Sequence, residues 1–119
     1  MGTEAIAPTE CEIQDIGEVF KALSNEHRLS IMGWLMNPLE SFPDQKEGDP
    51  LREGVCVTAI TAKTGLTQPS VTNHMHILQQ AGLVSPSRRR NWVFYKPNHA
   101  RFQEVIHALK MLAAKATHP

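Results

Sequence analysis

At 119 residues, 41% of them hydrophobic, the chain suits one small domain with a modest core, which excludes a large multi-domain enzyme; apolar residues spread among only 20% charged ones exclude wholesale disorder despite eight prolines. No stretch approaches about 18 consecutive apolar residues, and residues 1–10 lack the basic start and apolar segment of a signal peptide, so a cytoplasmic protein with no membrane partner is expected. The formal net charge of zero hides eleven acids against four bases in residues 1–53 and eight bases against one acid in residues 54–119, which suggests either a surface kept for a polyanion or two charged faces that meet each other.

Residues 1–12 read as a flexible arm, 13–116 as the domain and 117–119 as a tail. Ile13, Ile16, Phe20 and Leu23 recur at helical spacing, with Asp15 and Glu18 near the start, and predict a first amphipathic helix. Ser24 or Asn25 caps a second, whose apolar stripe of Leu29, Met32, Leu35 and Met36 stops at Asn37-Pro38. Residues 38–54, with three prolines, two glycines and seven charged side chains, read as an exposed loop insertion. Val57 and Thr58 read as staple residue and N-cap of a short helix that runs through Thr64 and ends on a left-handed Gly65. Thr67 caps the next helix, which carries Pro69 in its first turn, runs to Gln80 and is stopped by Gly82.

Within that helix Val71, Met75 and Leu78 should face the core while Ser70, Asn73 and His74 point away. Two helices joined by the tight turn Thr64-Gly65-Leu66-Thr67 describe a helix-turn-helix. Leu83-Val84, then SPSRRRN, then Trp92-Val93-Phe94-Tyr95 ending at Pro97 read as a β-hairpin with a basic tip, its aromatics packing the wing rather than stacking on bases. Phe102, Val105, Ile106, Leu109 and Leu112 stripe a last helix. The fold class is mainly α with a small β-hairpin, α-α-α-α-β-β-α, a winged helix-turn-helix.

Ala22-Leu23-Ser24 with His27-Arg28-Leu29, then Thr67-Gln68-Pro69-Ser70-Val71-Thr72 with His74, Leu78 and Gly82-Leu83-Val84, and a wing ending in Trp92-Val93-Phe94-Tyr95, resemble the ArsR/SmtB family of bacterial transcriptional repressors over all but the arm and the loop. The resemblance implies a repressor that binds a double-stranded DNA operator, an imperfect palindrome, as a homodimer, and is released by a signal the sequence does not identify. It also implies a two-fold interface built from the first and last helices, here Ile13, Ile16, Phe20, Phe102, Val105, Ile106, Leu109 and Leu112. The residues agree with the DNA reading. A helix of about 10–12 Å diameter fits the major groove, and Gln68 and Asn73 are suited to adenine, with Ser70, Thr72 and His74 as shorter hydrogen-bonding groups and Thr67 as a combined cap and phosphate contact. No Lys, Arg, Asp or Glu occurs from Thr64 to Ser87, so Arg88, Arg89 and Arg90 must supply the attraction for phosphates or the minor groove, with Lys63 and Lys96 secondary.

The metal and thiol-persulfide sensor sites that the resemblance brings with it do not fit. Cys56 stands where one thiolate of a Cys-x-Cys would be, but Thr58 takes the second place; His99, Arg101, Leu112 and Lys115 fall where a zinc site would need carboxylates and imidazoles; and the second and last helices hold no cysteine. No metal or cofactor is expected. Cys11 and Cys56 leave open a thiol-based redox or soft-ion sensor, against the plainer reading of reduced thiols. No catalytic residue is assigned, because the chain has no Gly-rich phosphate loop, no His-x-x-x-His and no acidic pair placed in an evident pocket. A further alternative is a winged helix for protein contact, with residues 40–53 as its acidic docking surface.

Overall fold

Between the first two helices, α1 (Glu10–Leu23) and α2 (Glu26–Met36), the chain turns on Asn25, whose side-chain oxygen accepts the N–H groups of His27 and Arg28. The computed structural model describes residues 10–116, with side chains from 14 to 114, so the expectations for residues 1–9 and 117–119 and for the side chains of Cys11 and Ile13 fall outside the described residues. Helix α1 starts three residues earlier than the periodicity predicts, because Glu10, Cys11 and Glu12 already belong to it. In α2 the buried side chains are Ile31, Met32 and Leu35, while Leu29 is 57% exposed. Leu29 stands about 110° around the helix from the centre of that trio, a choice of face that spacing alone does not make.

The insertion is less loop-like than its composition implies. Pro38 opens a single helical turn, α3 (Pro38–Ser41), and Phe42 behind it is buried in the main core, edge-on to Trp34 at 6.3 Å between ring centroids. Gln45 pins the rest of the insertion to the fold. Its Oε1 accepts the N–H of Cys56 at 2.9 Å, and its Nε2 donates to the carbonyls of Gly48 and Gly54 at 2.9 and 3.1 Å. The segment therefore ends in a strand that the sequence reading missed, β1 (Val55–Cys56).

Helix α4 (Val57–Thr64) comes directly after it, with Cys56 rather than Thr58 at its N-cap and Gly65 at φ 74 closing it. Thr67 caps α5 (Gln68–Gln80) as expected, its hydroxyl accepting the N–H of Ser70. At the far end Gly82, at φ 78, lets its own N–H reach the carbonyl of Gln79 and the N–H of Leu83 reach that of Leu78, the pair of bonds that closes a Schellman motif.

Strands β2 (Val84–Arg89) and β3 (Trp92–Pro97) pair antiparallel in the register Val84↔Pro97 to Arg89↔Trp92, leaving Arg90-Asn91 as a two-residue turn. Arg90 takes φ 55, the left-handed backbone such hairpin turns require at their first central residue. β1 pairs with the other side of β3, Val55 opposite Tyr95 and Cys56 opposite Phe94, giving the sheet order β1-β3-β2. As the central strand, β3 buries Phe94 and Tyr95 on opposite faces, but Trp92 at its outer end stays 40% exposed and does not pack as expected. Helix α6 (His99–Ala116) closes the order. Val19 and Ala22 of α1, Ile31 and Leu35 of α2, Ile60 of α4, and Val71, Met75 and Leu78 of α5 belong to one continuous core. Among the described residues no helix is long and apolar enough to cross a membrane.

Candidate nucleic-acid interface

With Val71, Met75 and Leu78 committed to the core, the helical repeat puts Pro69, Asn73, His76 and Gln80 along the outermost line of α5, and all four are exposed. Gln68 and Ser70 are exposed on either flank, and Thr72 is half-buried. The hydroxyls of Thr67 and Ser70 hydrogen-bond to each other at 3.0 Å, which orients both at the N-terminus of the helix. His76, which the sequence reading did not single out, shares the line of Asn73; its spacing of three from Asn73 was the signal available.

His74 differs from expectation. Unlike the exposed Ser70 and Asn73 it is half-buried, with its Nδ1 3.0 Å from Nη1 of Arg28 and its ring 5.7 Å from that of His27. Arg28 Nε also donates to the carbonyl of Ala22 at 2.6 Å, so this guanidinium joins the end of α1, the start of α2 and the middle of α5. Burial, then the charges of Arg28 and His27, hold the His74 imidazole below its usual range. No motif reading assigned Arg28 a place at this helix, because the contact spans 46 residues of sequence.

The wing carries Arg88, Arg89 and Arg90, all exposed at or next to the tip. Arg89 is engaged: its Nη1 meets Glu53 Oε1 at 2.8 Å, and Glu53 Oε2 in turn accepts the N–H of Asp49. Among the described residues neither Arg88 nor Arg90 makes an ion pair. Lys63 is drawn to the insertion, its ammonium 5.2 Å from the ring centre of Trp34 and 5.7 Å from that of Phe42.

Cys56 is fully buried with its Sγ 3.1 Å from the hydroxyl of Thr58, a setting that restricts a reactive thiolate, and Cys11 lies in α1 with its side chain outside the described residues. Arg101 chelates Asp15 at 2.6 and 2.7 Å, donates to the carbonyl of Ala81 and meets Glu104 at 3.2 Å. Of the predicted interface residues, Ile16 and Val105 are buried within the chain, Phe102 is half-buried, and Phe20, Ile106, Leu109 and Leu112 are 38–46% exposed.

A helix-turn-helix whose second helix shows an outer line free of Lys, Arg, Asp and Glu, beside a hairpin tipped with arginines, defines a winged helix-turn-helix DNA-binding domain. The chain is 39% identical over 93 residues to the uncharacterized HTH-type transcriptional regulator YbzH of Bacillus subtilis, covering 78% of this chain and 93% of the relative. It superposes on an ArsR-like transcriptional regulator from Rhodococcus sp. RHA1 with a TM-score of 0.65 at 19% identity, covering 87% and 83% of the two chains. A homodimeric winged helix-turn-helix DNA-binding domain from Mycobacterium bovis gives a TM-score of 0.60 at 20% identity, covering 96% and 94%. No family model matches. The chain belongs to the HTH-type transcriptional regulators, a DNA-binding and non-enzymatic family, and its fold is that of the ArsR-like regulators on which it superposes.

Proposed function

We propose that the protein is a homodimeric repressor that occupies an imperfect palindromic operator, reading bases with Gln68, Ser70, Thr72, Asn73 and His74 and holding phosphates with Thr67 and the wing arginines Arg88, Arg89 and Arg90. The observation that carries this reading is the exposed face of α5 from Gln68 through Asn73 to Gln80, free of Lys, Arg, Asp and Glu, beside Arg88 and Arg90, which make no ion pair among the described residues. A charge-free reading helix contributes hydrogen-bond pattern and little Coulomb attraction, so affinity and selectivity are divided between the helix and the wing. The exposed apolar side chains of Phe20, Ile106, Leu109 and Leu112 support a two-fold pairing of chains. Such a pairing would set two recognition helices about 34–36 Å apart, one turn of DNA.

The test is fluorescence anisotropy on a duplex selected in vitro from a random library, with a scrambled duplex alongside. Replacing Arg88 and Arg90 together by alanine weakens binding to both duplexes and flattens the salt slope by about two. Asn73→Ala instead lowers discrimination by about 1–3 kcal/mol while leaving the salt slope in place. Equal affinity of the wild-type protein for both duplexes would overturn the reading.

A further inference from the structure

We propose that Arg28 is a positioning residue that fixes His74 as a hydrogen-bond donor through Nε2, so that α5 selects an acceptor atom on the DNA at this position. The inference rests on the DNA-reading role proposed for α5. A guanidinium carries donors and no acceptor, so the 3.0 Å contact between Arg28 Nη1 and His74 Nδ1 requires Nδ1 to be the accepting, unprotonated nitrogen. The proton of the neutral ring then resides on Nε2. A doubly protonated imidazolium would set N–H against N–H at this contact.

The guanidinium is not free to move aside. Its Nε is held by the carbonyl of Ala22 and its backbone N–H by Asn25, and no carboxylate pairs with it among the described residues. The groups facing the ring are Arg28 and His27, both of which disfavour a charge on it. Nε2 has no hydrogen-bond partner within the described residues, which also hold no buried side-chain nitrogen or oxygen lacking one, so Nε2 is not sealed from solvent. An N–H offered there is matched by guanine O6, a purine N7, thymine O4 or a phosphate oxygen, and opposed by the amino groups of adenine and cytosine.

The experiment uses the full chain labelled with 15N and the in vitro selected duplex. Histidine side-chain spectra of the free protein should show His74 with a proton-bearing Nε2 and a pyridine-like Nδ1, and a titration displaced to lower pH than that of a histidine in an unstructured peptide. Arg28→Met should release the ring to mixed tautomers and an ordinary titration. A His74 found with its proton on Nδ1, or charged at neutral pH, would overturn the proposal while leaving operator binding intact, and the wild-type spectrum decides this even where Arg28→Met fails to fold.

On the DNA side, His74→Ala should lower affinity for the selected duplex about tenfold. One class of modified duplex, 7-deazapurine, 6-thioguanine, 4-thiothymine or methylphosphonate, should cost the wild type a similar factor and His74→Ala nothing more, which separates a base acceptor from a phosphate. Full additivity for all four classes would overturn the donor role. Loss of duplex discrimination in the wild type would instead remove the repressor function, with the tautomer result standing apart.

Discussion

Glu53 places a carboxylate against one of the three wing cations, and that single contact sets how much charge the wing offers to DNA. Both partners are solvent-accessible, so the pair itself contributes little to stability, about 0–1 kcal/mol; its effect falls on binding, because phosphate must compete for Arg89. Glu53→Gln should therefore tighten binding to selected and scrambled duplexes alike by up to about fivefold at low salt, an advantage that fades in a salt titration. The Asp15–Arg101 pair works on folding instead. Its hydrogen bond to Arg101 holds the Asp15 carboxyl below its usual range, and a depressed folded pKa means stability present above the unfolded value of about 4 and lost as pH falls through the folded one. Asp15→Asn should flatten the acid limb of a stability-against-pH curve below about pH 4. Arg101→Met, which also strips the carbonyl of Ala81 of its donor, should cost about 2 kcal/mol at neutral pH in urea unfolding.

The insertion acts as an element of the core and not as an ornament upon it. Phe42 sits edge-on to Trp34 with Lys63 over both rings, and Gln45 bonds to Gly54 just before β1 and to Cys56 within it, so residues 38–54 connect α2, α4 and the sheet. Phe42→Ala should destabilise by about 3 kcal/mol in urea titration, whereas an inert loop would tolerate the change. Composition concealed this because three prolines and seven charges dominate a window in which one apolar side chain does the anchoring. The rest of the element order was legible wherever local chemistry punctuates it: Asn25, Gly65, Thr67, Pro69 and Gly82 each act within a few residues of themselves, and each stands where its helix starts or stops. What escaped was settled by distant partners. Strand β1 is two residues long and exists because β3 arrives opposite it from about forty residues away; Leu29 yielded its predicted place on the buried face to Ile31 once the neighbours of α2 fixed that face; and His74 lay in the right helix but was drawn to a guanidinium that no spacing rule connects to it.

Across the whole molecule the acidic and basic halves of the sequence do meet, through Asp15–Arg101 and Glu53–Arg89, yet these pairs take only two of the cations and leave Arg88 and Arg90 for a polyanion. The apolar surface is divided in a comparable way. Val105 turns one side of α6 into the chain's own core, and Ile106, Leu109 and Leu112, three residues apart, run along another side with 38–41% of their surface in water. Phe20 on α1, the helix α6 packs against, is 46% exposed. Burying this face against its own copy would remove the exposure by an isologous contact, in which every pairing of one residue with another across the interface occurs twice. A charge there is then doubled across the axis. Leu109→Arg should leave the monomer folded, since the side chain is already partly in water, and should shift sedimentation from dimer to monomer. It should also reduce affinity for a full palindrome to that for an isolated half-site, because two reading helices no longer bind as one unit. Sedimentation of the wild type as a monomer at the concentrations where it binds the palindrome tightly would refute the dimer, and would assign the exposed stripe of α6 to some other partner.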